Sequence, residues 1–101
     1  MRALIHDPDA PQGLRIGEVA DPRPERAQAV VEVRAVSLNF GEVADLSQRT
    51  EPGGVSGWDA AGVVVEAAAD GSGPEVGRRV VTWGPSGAWA QLLARWTLPS
   101  S

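Results

Sequence analysis

The sequence predicts a mainly β domain assembled from many short strands. Glycine (12 residues) and proline (8 residues) are both frequent, and they punctuate a chain into short elements joined by turns. Regular helical periodicity is scarce. The segment from Ala29 to Leu38 alternates instead, with Val31, Val33 and Ala35 on one face and Glu32 and Arg34 on the other. At 101 residues the chain suits one domain and is too short for two. A chain of this size buries roughly 60–65% of the surface its unfolded form exposes, so a real core is attainable. The apolar share of 43% is ordinary for a globular domain.

Taken in order, Arg2 to Ile5 forms a short first strand, and the turn formers of Asp7 to Gly13 reverse the chain. Leu14 to Val19 alternates again and is expected to pair back on the first strand as a hairpin. Asp21-Pro22-Arg23-Pro24-Glu25 breaks regular structure, because its prolines remove backbone donors and fix φ. The strand over Ala29 to Leu38 presents one face to a core, while the other is wet or edge-lying. Phe40 to Leu46 is expected to make a short helix with Asn39 as its cap. The polar, glycine-rich Ser47 to Ser56 reads as a mobile surface loop. A strand from about Ala61 to Ala68 follows, then a turn over Ala69 to Pro74. Gly77 turns the chain into a strand ending at Trp83, and Gly84 to Gly87 turns it again. Ala88 to Ala94 reads as a further strand, and Trp96 to Leu98 starts one more.

The net charge of −4 argues against a nucleic-acid partner, which would want clustered basic residues. With no cysteine, neither a disulfide framework nor a thiolate metal site can form from this chain. The first residues lack the apolar core of a signal peptide. No apolar run approaches the roughly 20 residues that span a bilayer. No membrane partner is expected, and a cytoplasmic location is the simplest reading.

Chemistry-bearing motifs are few. Gly71-Ser72-Gly73-Pro74-Glu75-Val76-Gly77 fails as a dinucleotide fingerprint: Val76 stands where the third glycine belongs, Pro74 obstructs the loop, and a strand follows where a helix should start. It reads as a plain turn. His6, the only histidine, has no second histidine or cysteine to complete a zinc site and no nucleophile beside it, so it reads as a surface residue. Most of Trp58, Trp83, Trp89 and Trp96 is expected in core or rim packing. Trp58 stands apart, because Gly57 and Gly62 bracket it and Asp59 in a loop-to-strand transition. Gly57 can take a backbone angle barred to other residues, and Gly62 lets another segment approach closely.

Four segments in order carry a family resemblance. Gly57-x-Asp59-x-x-Gly62-x-Val64 is similar to a Gly-x-Asp/Glu-x-x-Gly-x-Val pattern. Val36-Ser37-Leu38-Asn39-Phe40-Gly41-Glu42-Val43 is similar to Gly-Leu-Asn-Phe-x-Asp-x, Val76-Gly77-Arg78-Arg79-Val80 to Pro-Gly-Asp-Arg-Val, and Gly87-Ala88-Trp89-Ala90-Gln91 to Gly-Gly-Phe/Tyr-Ala-Glu. Over nearly all of its length the chain resembles the N-terminal GroES-like catalytic domain of the medium-chain dehydrogenase/reductase superfamily. Within it, the likeness is to the zinc-independent quinone oxidoreductase and enoyl reductase branch.

That resemblance implies a GroES-like, partly open β-barrel with one or two short helices, and makes residues 1–101 one GroES-like (alcohol dehydrogenase N-terminal-like) domain. The Rossmann domain that binds NADPH in the family would lie outside this chain, in cis or in trans. The chain is then expected to be an isolated domain, a natural half-protein or a truncated enzyme. Zinc-dependent relatives place a cysteine where Asn39 stands and a histidine where Trp58 stands, so no metal is implied. Without a Lewis acid, polarising a substrate carbonyl falls to hydrogen bonds or is unnecessary. The implied function is the substrate-side domain of an NADPH-dependent oxidoreductase that reduces a quinone or an activated alkene or carbonyl. A small-molecule substrate and a homo-oligomer are the implied partners.

Asn39 is the implied catalytic residue, and Asn39, Phe40, Trp58 and Asp59 are expected on one cleft wall facing the nicotinamide. Asp59 has two possible duties, holding the local backbone or orienting a polar group in the site, and the first is favoured. By itself the chain is expected to be inactive and to bind NADPH weakly, since it lacks a pyrophosphate cradle. It is also expected to expose apolar surface. The competing function is a stand-alone, non-enzymatic GroES-like binding or oligomerisation module, because fold does not fix function.

Overall fold

A computed structural model describes residues 1–37, 54–55, 57–84 and 86–95, together with the backbone of Leu98–Pro99. The strands are β1 (Arg2–His6), β2 (Leu14–Glu18), β3 (Ala29–Val36), β4 (Asp59–Glu66), β5 (Arg79–Trp83), β6 (Leu92–Arg95) and β7 (Leu98–Pro99). The expected helix over Phe40 to Leu46 and most of the Ser47 to Ser56 loop lie outside the described residues.

β1 and β2 pair as the expected antiparallel hairpin, and the other strands form a second antiparallel sheet in the order β6-β3-β4-β5-β7. β3, β4 and β5 follow one another directly, and β6 returns to lie beside β3, which is a Greek key. Single bridges from Ala3 to Ala90 and from Ile5 to Val55 tie β1 to the segments just before β6 and β4. Neither sheet closes on itself. The fold is the expected partly open, mainly β barrel.

Burial follows the period-two rule where the ladder is regular. Along β5, Val80 and Thr82 are buried while Arg79, Val81 and Trp83 are exposed. β4 alternates likewise, with Ala60, Gly62 and Val64 inward. In β3 both Val30 and Val31 are buried, because the register against β4 shifts between them. Val31, Val64 and Val80 are the largest fully buried side chains and form one cluster with Ala29. Each such valine contributes roughly 1.5–3 kcal/mol by leaving water. A second cluster joins Ala60, Ala88, Trp89 and Leu93, with Leu4 and Leu14 of the hairpin packed against it.

The bracketing glycines behave as their positions require. Gly57 has φ +105°, and a Cβ there would stand 2.5 Å from the Trp89 ring. At Gly62 a Cβ would run into the Glu32 carbonyl and stand 2.8 Å from Val31 Cγ1, so β3 packs where a side chain would be. Gly71, Gly73 and Gly77 have positive φ over open space, and no helix follows them, so this segment is the plain turn expected.

Four sequence expectations are corrected. β4 starts at Asp59 and not Ala61, because Asp59 and Ala60 already pair with Trp83 and Thr82. Ala88 to Gln91 is not strand; Ala88 donates to the Gly57 carbonyl and Ala90 to the Ala88 carbonyl, a tight passage that drives Trp89 inward. His6 is not a surface residue but only 4% exposed. β1 runs one residue longer than expected. His6 N donates to the Gly54 carbonyl at 2.9 Å, while Nδ1 lies 3.1 Å from the Gly13 carbonyl, so the returning loop covers the ring.

Candidate substrate cleft

The antiparallel register brings three strand ends to one corner. β3 runs out through Val36 into Ser37, β4 begins at Asp59, and β5 ends at Trp83. Ala35 lies opposite Ala61, Ala61 opposite Val81, and Asp59 opposite Trp83. Paired residues point to the same side of a sheet, so these side chains share the outer face. They border an open cleft of about 620 Å³, whose lining also includes Val36, Ser37, Ala60 and Thr82. The wall is apolar apart from Asp59, Thr82 and Ser37. Ser37 Oγ donates to Asp59 Oδ2 at 2.9 Å, joining the end of β3 to the start of β4. Trp83 leaves 66% of its surface exposed and supplies the flattest part of the wall.

Beneath this corner lies Arg95, 7% exposed, reaching in from β6. Its Nη1 donates to the Trp58 carbonyl at 2.7 Å and to Thr82 Oγ1 at 3.3 Å, and its Nη2 donates to the Ser86 carbonyl. Gly84 makes room for it, since a Cβ there would stand 2.6 Å from the guanidinium carbon. Burial pulls the guanidinium below its ordinary pKa, and the nearby Asp59 charge opposes that shift.

Of the residues expected in the site, Asp59 lines the cleft. Its Oδ2 accepts from Ser37 Oγ, joining two strands through side chains, and among the described residues it accepts from no local backbone amide. Trp58 is half-buried and is not among the cleft-lining residues; its carbonyl also accepts from Gly84 N at 3.2 Å. Asn39 and Phe40 lie outside the described residues. Sequence reasoning missed Ser37, Trp83 and Arg95. The alternation in β6 held the clue to the last, because Leu93 inward places Arg95 inward two residues later. Among the described residues, no group of three or more His, Cys, Asp or Glu is placed to hold a metal ion. No helix among them is long and apolar enough to cross a membrane.

An open Greek-key barrel with a cleft at its strand ends is a GroES-like architecture. The family model of the alcohol dehydrogenase GroES-like domain matches residues 25–94, and the chain belongs to that family. No curated protein matches it by sequence. Among solved structures, a probable oxidoreductase from Mycobacterium abscessus is 30% identical, with TM-score 0.86 over 98% of this chain and 34% of that one. A 2-haloacrylate reductase is 26% identical, with TM-score 0.83 over 100% of this chain and 32% of that one. The quinone oxidoreductase of Escherichia coli, solved with NADPH, shares the fold at 24% identity and TM-score 0.74, over 92% of this chain and 30% of that one. The chain thus spans about a third of the length of these structures.

Proposed function

We propose that this chain is the substrate-side domain of a zinc-independent, NADPH-dependent oxidoreductase that reduces a quinone or an activated alkene or carbonyl. The observation that carries the reading is the cleft itself. Its wall of Ala35, Ala61, Val81 and Trp83 suits a flat, weakly polar ring, and Asp59 with Ser37 puts hydrogen-bonding groups at one end. Membership of the family and likeness to a probable oxidoreductase and a 2-haloacrylate reductase support it.

The same wall fits the nicotinamide end of NADPH and not its phosphates. Among the described residues no basic side chain lines the cleft, and no helix N-terminus occurs to cradle a pyrophosphate. The phosphates are assigned to a Rossmann domain, in cis or in trans, as part of a cytoplasmic homo-oligomer. NADPH, when bound, supplies the hydride. This chain's part is to orient the acceptor and keep water from it. Asn39 is proposed as the catalytic hydrogen-bonding residue, with Phe40, Trp58 and Asp59 as binding residues.

The test joins this chain to its nucleotide-binding domain and follows NADPH oxidation with quinones and activated alkenes. Asn39→Ala should lower kcat/KM roughly ten- to a hundredfold, at ~1.4 kcal/mol per factor of ten. Turnover with none of these acceptors would favour the non-enzymatic binding module. Stoichiometric zinc surviving dialysis against chelator would overturn the zinc-independent assignment.

A further inference from the structure

We propose that Arg95 is a positioning residue for the cleft, holding the Trp58–Asp59 junction against the end of β5 so that Asp59 and Trp83 keep their places in its wall. The proposal rests on reading that cleft as the substrate site. In the sheet, β6 and β5 are separated by β3 and β4, so no backbone ladder joins them. Arg95 spans that gap with one side chain. From β6 it reaches Thr82 on β5, the Trp58 carbonyl just before β4, and the Ser86 carbonyl in the turn after β5.

The partners show what is being selected. Among the described residues no carboxylate stands within ion-pair range of Arg95. Its acceptors are two main-chain carbonyls and a hydroxyl, which are neutral groups. A buried cation without a close counter-charge is a poor stabiliser, and an apolar side chain would fill the volume better. A guanidinium does what an apolar side chain cannot, since it presents donors in a fixed plane to acceptors that diverge. Gly84 fits the same account. It gives up a side chain where a Cβ would stand 2.8 Å from Arg95 Nε, and its own amide donates to the Trp58 carbonyl that Arg95 also holds. Trp58 is therefore fixed through its backbone, and the next residue, Asp59, enters the cleft opposite Trp83.

Hydrogen exchange and fluorine NMR of the 101-residue chain test this, with fluorotryptophan incorporated and the Trp83 signal assigned through Trp83→Phe. In Arg95→Met the Gly84 amide should exchange at least about tenfold faster, while amides of the β3–β4 ladder keep their wild-type rates. The Trp83 fluorine resonance should shift or broaden. Arg95→Lys keeps the charge but loses the fork, so its Gly84 protection should fall between the two. If Arg95→Met does not fold, Arg95→Lys carries the same reading. Unchanged Gly84 exchange and an unmoved Trp83 signal in a folded variant would overturn the proposal. So would equal acceleration throughout the ladder, which marks a general stabiliser. Both readouts come from this chain alone, so they stand apart from whether the complete protein reduces any substrate.

Discussion

The two faces of the β4–β5 pair are made from the same strands and differ in every physical respect. Inward, Ala60, Gly62, Val64, Val80 and Thr82 are buried, and the space is so tight that one position admits only glycine. Outward, Val81 and Trp83 are 53% and 66% exposed, although both are apolar. The inner face is what folding requires. Nothing in folding requires the outer one, where polar residues would sit better against water. An apolar face kept in water marks a surface that meets a ligand or another protein part, and it lies at the proposed cleft.

The sharpest break of this contrast should come at Gly62. Gly62→Ala drives a methyl into the Glu32 carbonyl, so unfolding in urea should come at much lower denaturant, a loss of about 3 kcal/mol or more. Gly73→Ala is the control. It meets no atom within 4 Å and strains only its φ of +80°, so the loss should be about 1 kcal/mol. Equal losses at the two sites would mean that the approach of β3 to β4 is not what demands glycine.

Neighbouring valines on β5 give the next largest effect. Val80→Ala, at 1% exposure, should cost about 2 kcal/mol, whereas Val81→Ala should stay within about 0.5 kcal/mol. A comparable cost at Val81 would show that the outer face is covered in solution.

Trp83→Ser should leave stability within about 0.5 kcal/mol and weaken self-association, measured by sedimentation over a concentration range. A strict monomer before and after the change would leave the outer face to a ligand and not to a second copy. The smallest effect belongs to Ser37→Ala. It removes one exposed hydrogen bond to Asp59 and should shift the urea midpoint by about 0.5 kcal/mol or less. A loss several times larger would make the Ser37–Asp59 link a structural tie and not a feature of the cleft.

The sequence by itself determined what depends on near neighbours. The strand over Ala29 to Val36, the turn glycines at Gly71, Gly73 and Gly77, and the hairpin of β1 and β2 are local consequences of residue type and backbone freedom. The face expected to hold Val31, Val33 and Ala35, however, is broken by a register shift that sets Ala35 beside Ala61 on the outer side. The glycine bracket around Trp58 and Asp59 was legible too, as was the family those four segments share. Tertiary structure alone decided what each singular residue meets. His6 came out opposite to the sequence reading, buried under the Gly13 loop, and Trp83 is the tryptophan left largely in water while Trp89 is buried. Arg95 shows the reason most plainly. Its partners at Trp58, Thr82 and Ser86 are 37, 13 and 9 residues away, and no local rule foretells that a charged side chain will find its acceptors across a barrel. Ser37 and Asp59, 22 residues apart, meet for the same reason: strand register, set by the packed inner face, chooses the neighbours on the outer one.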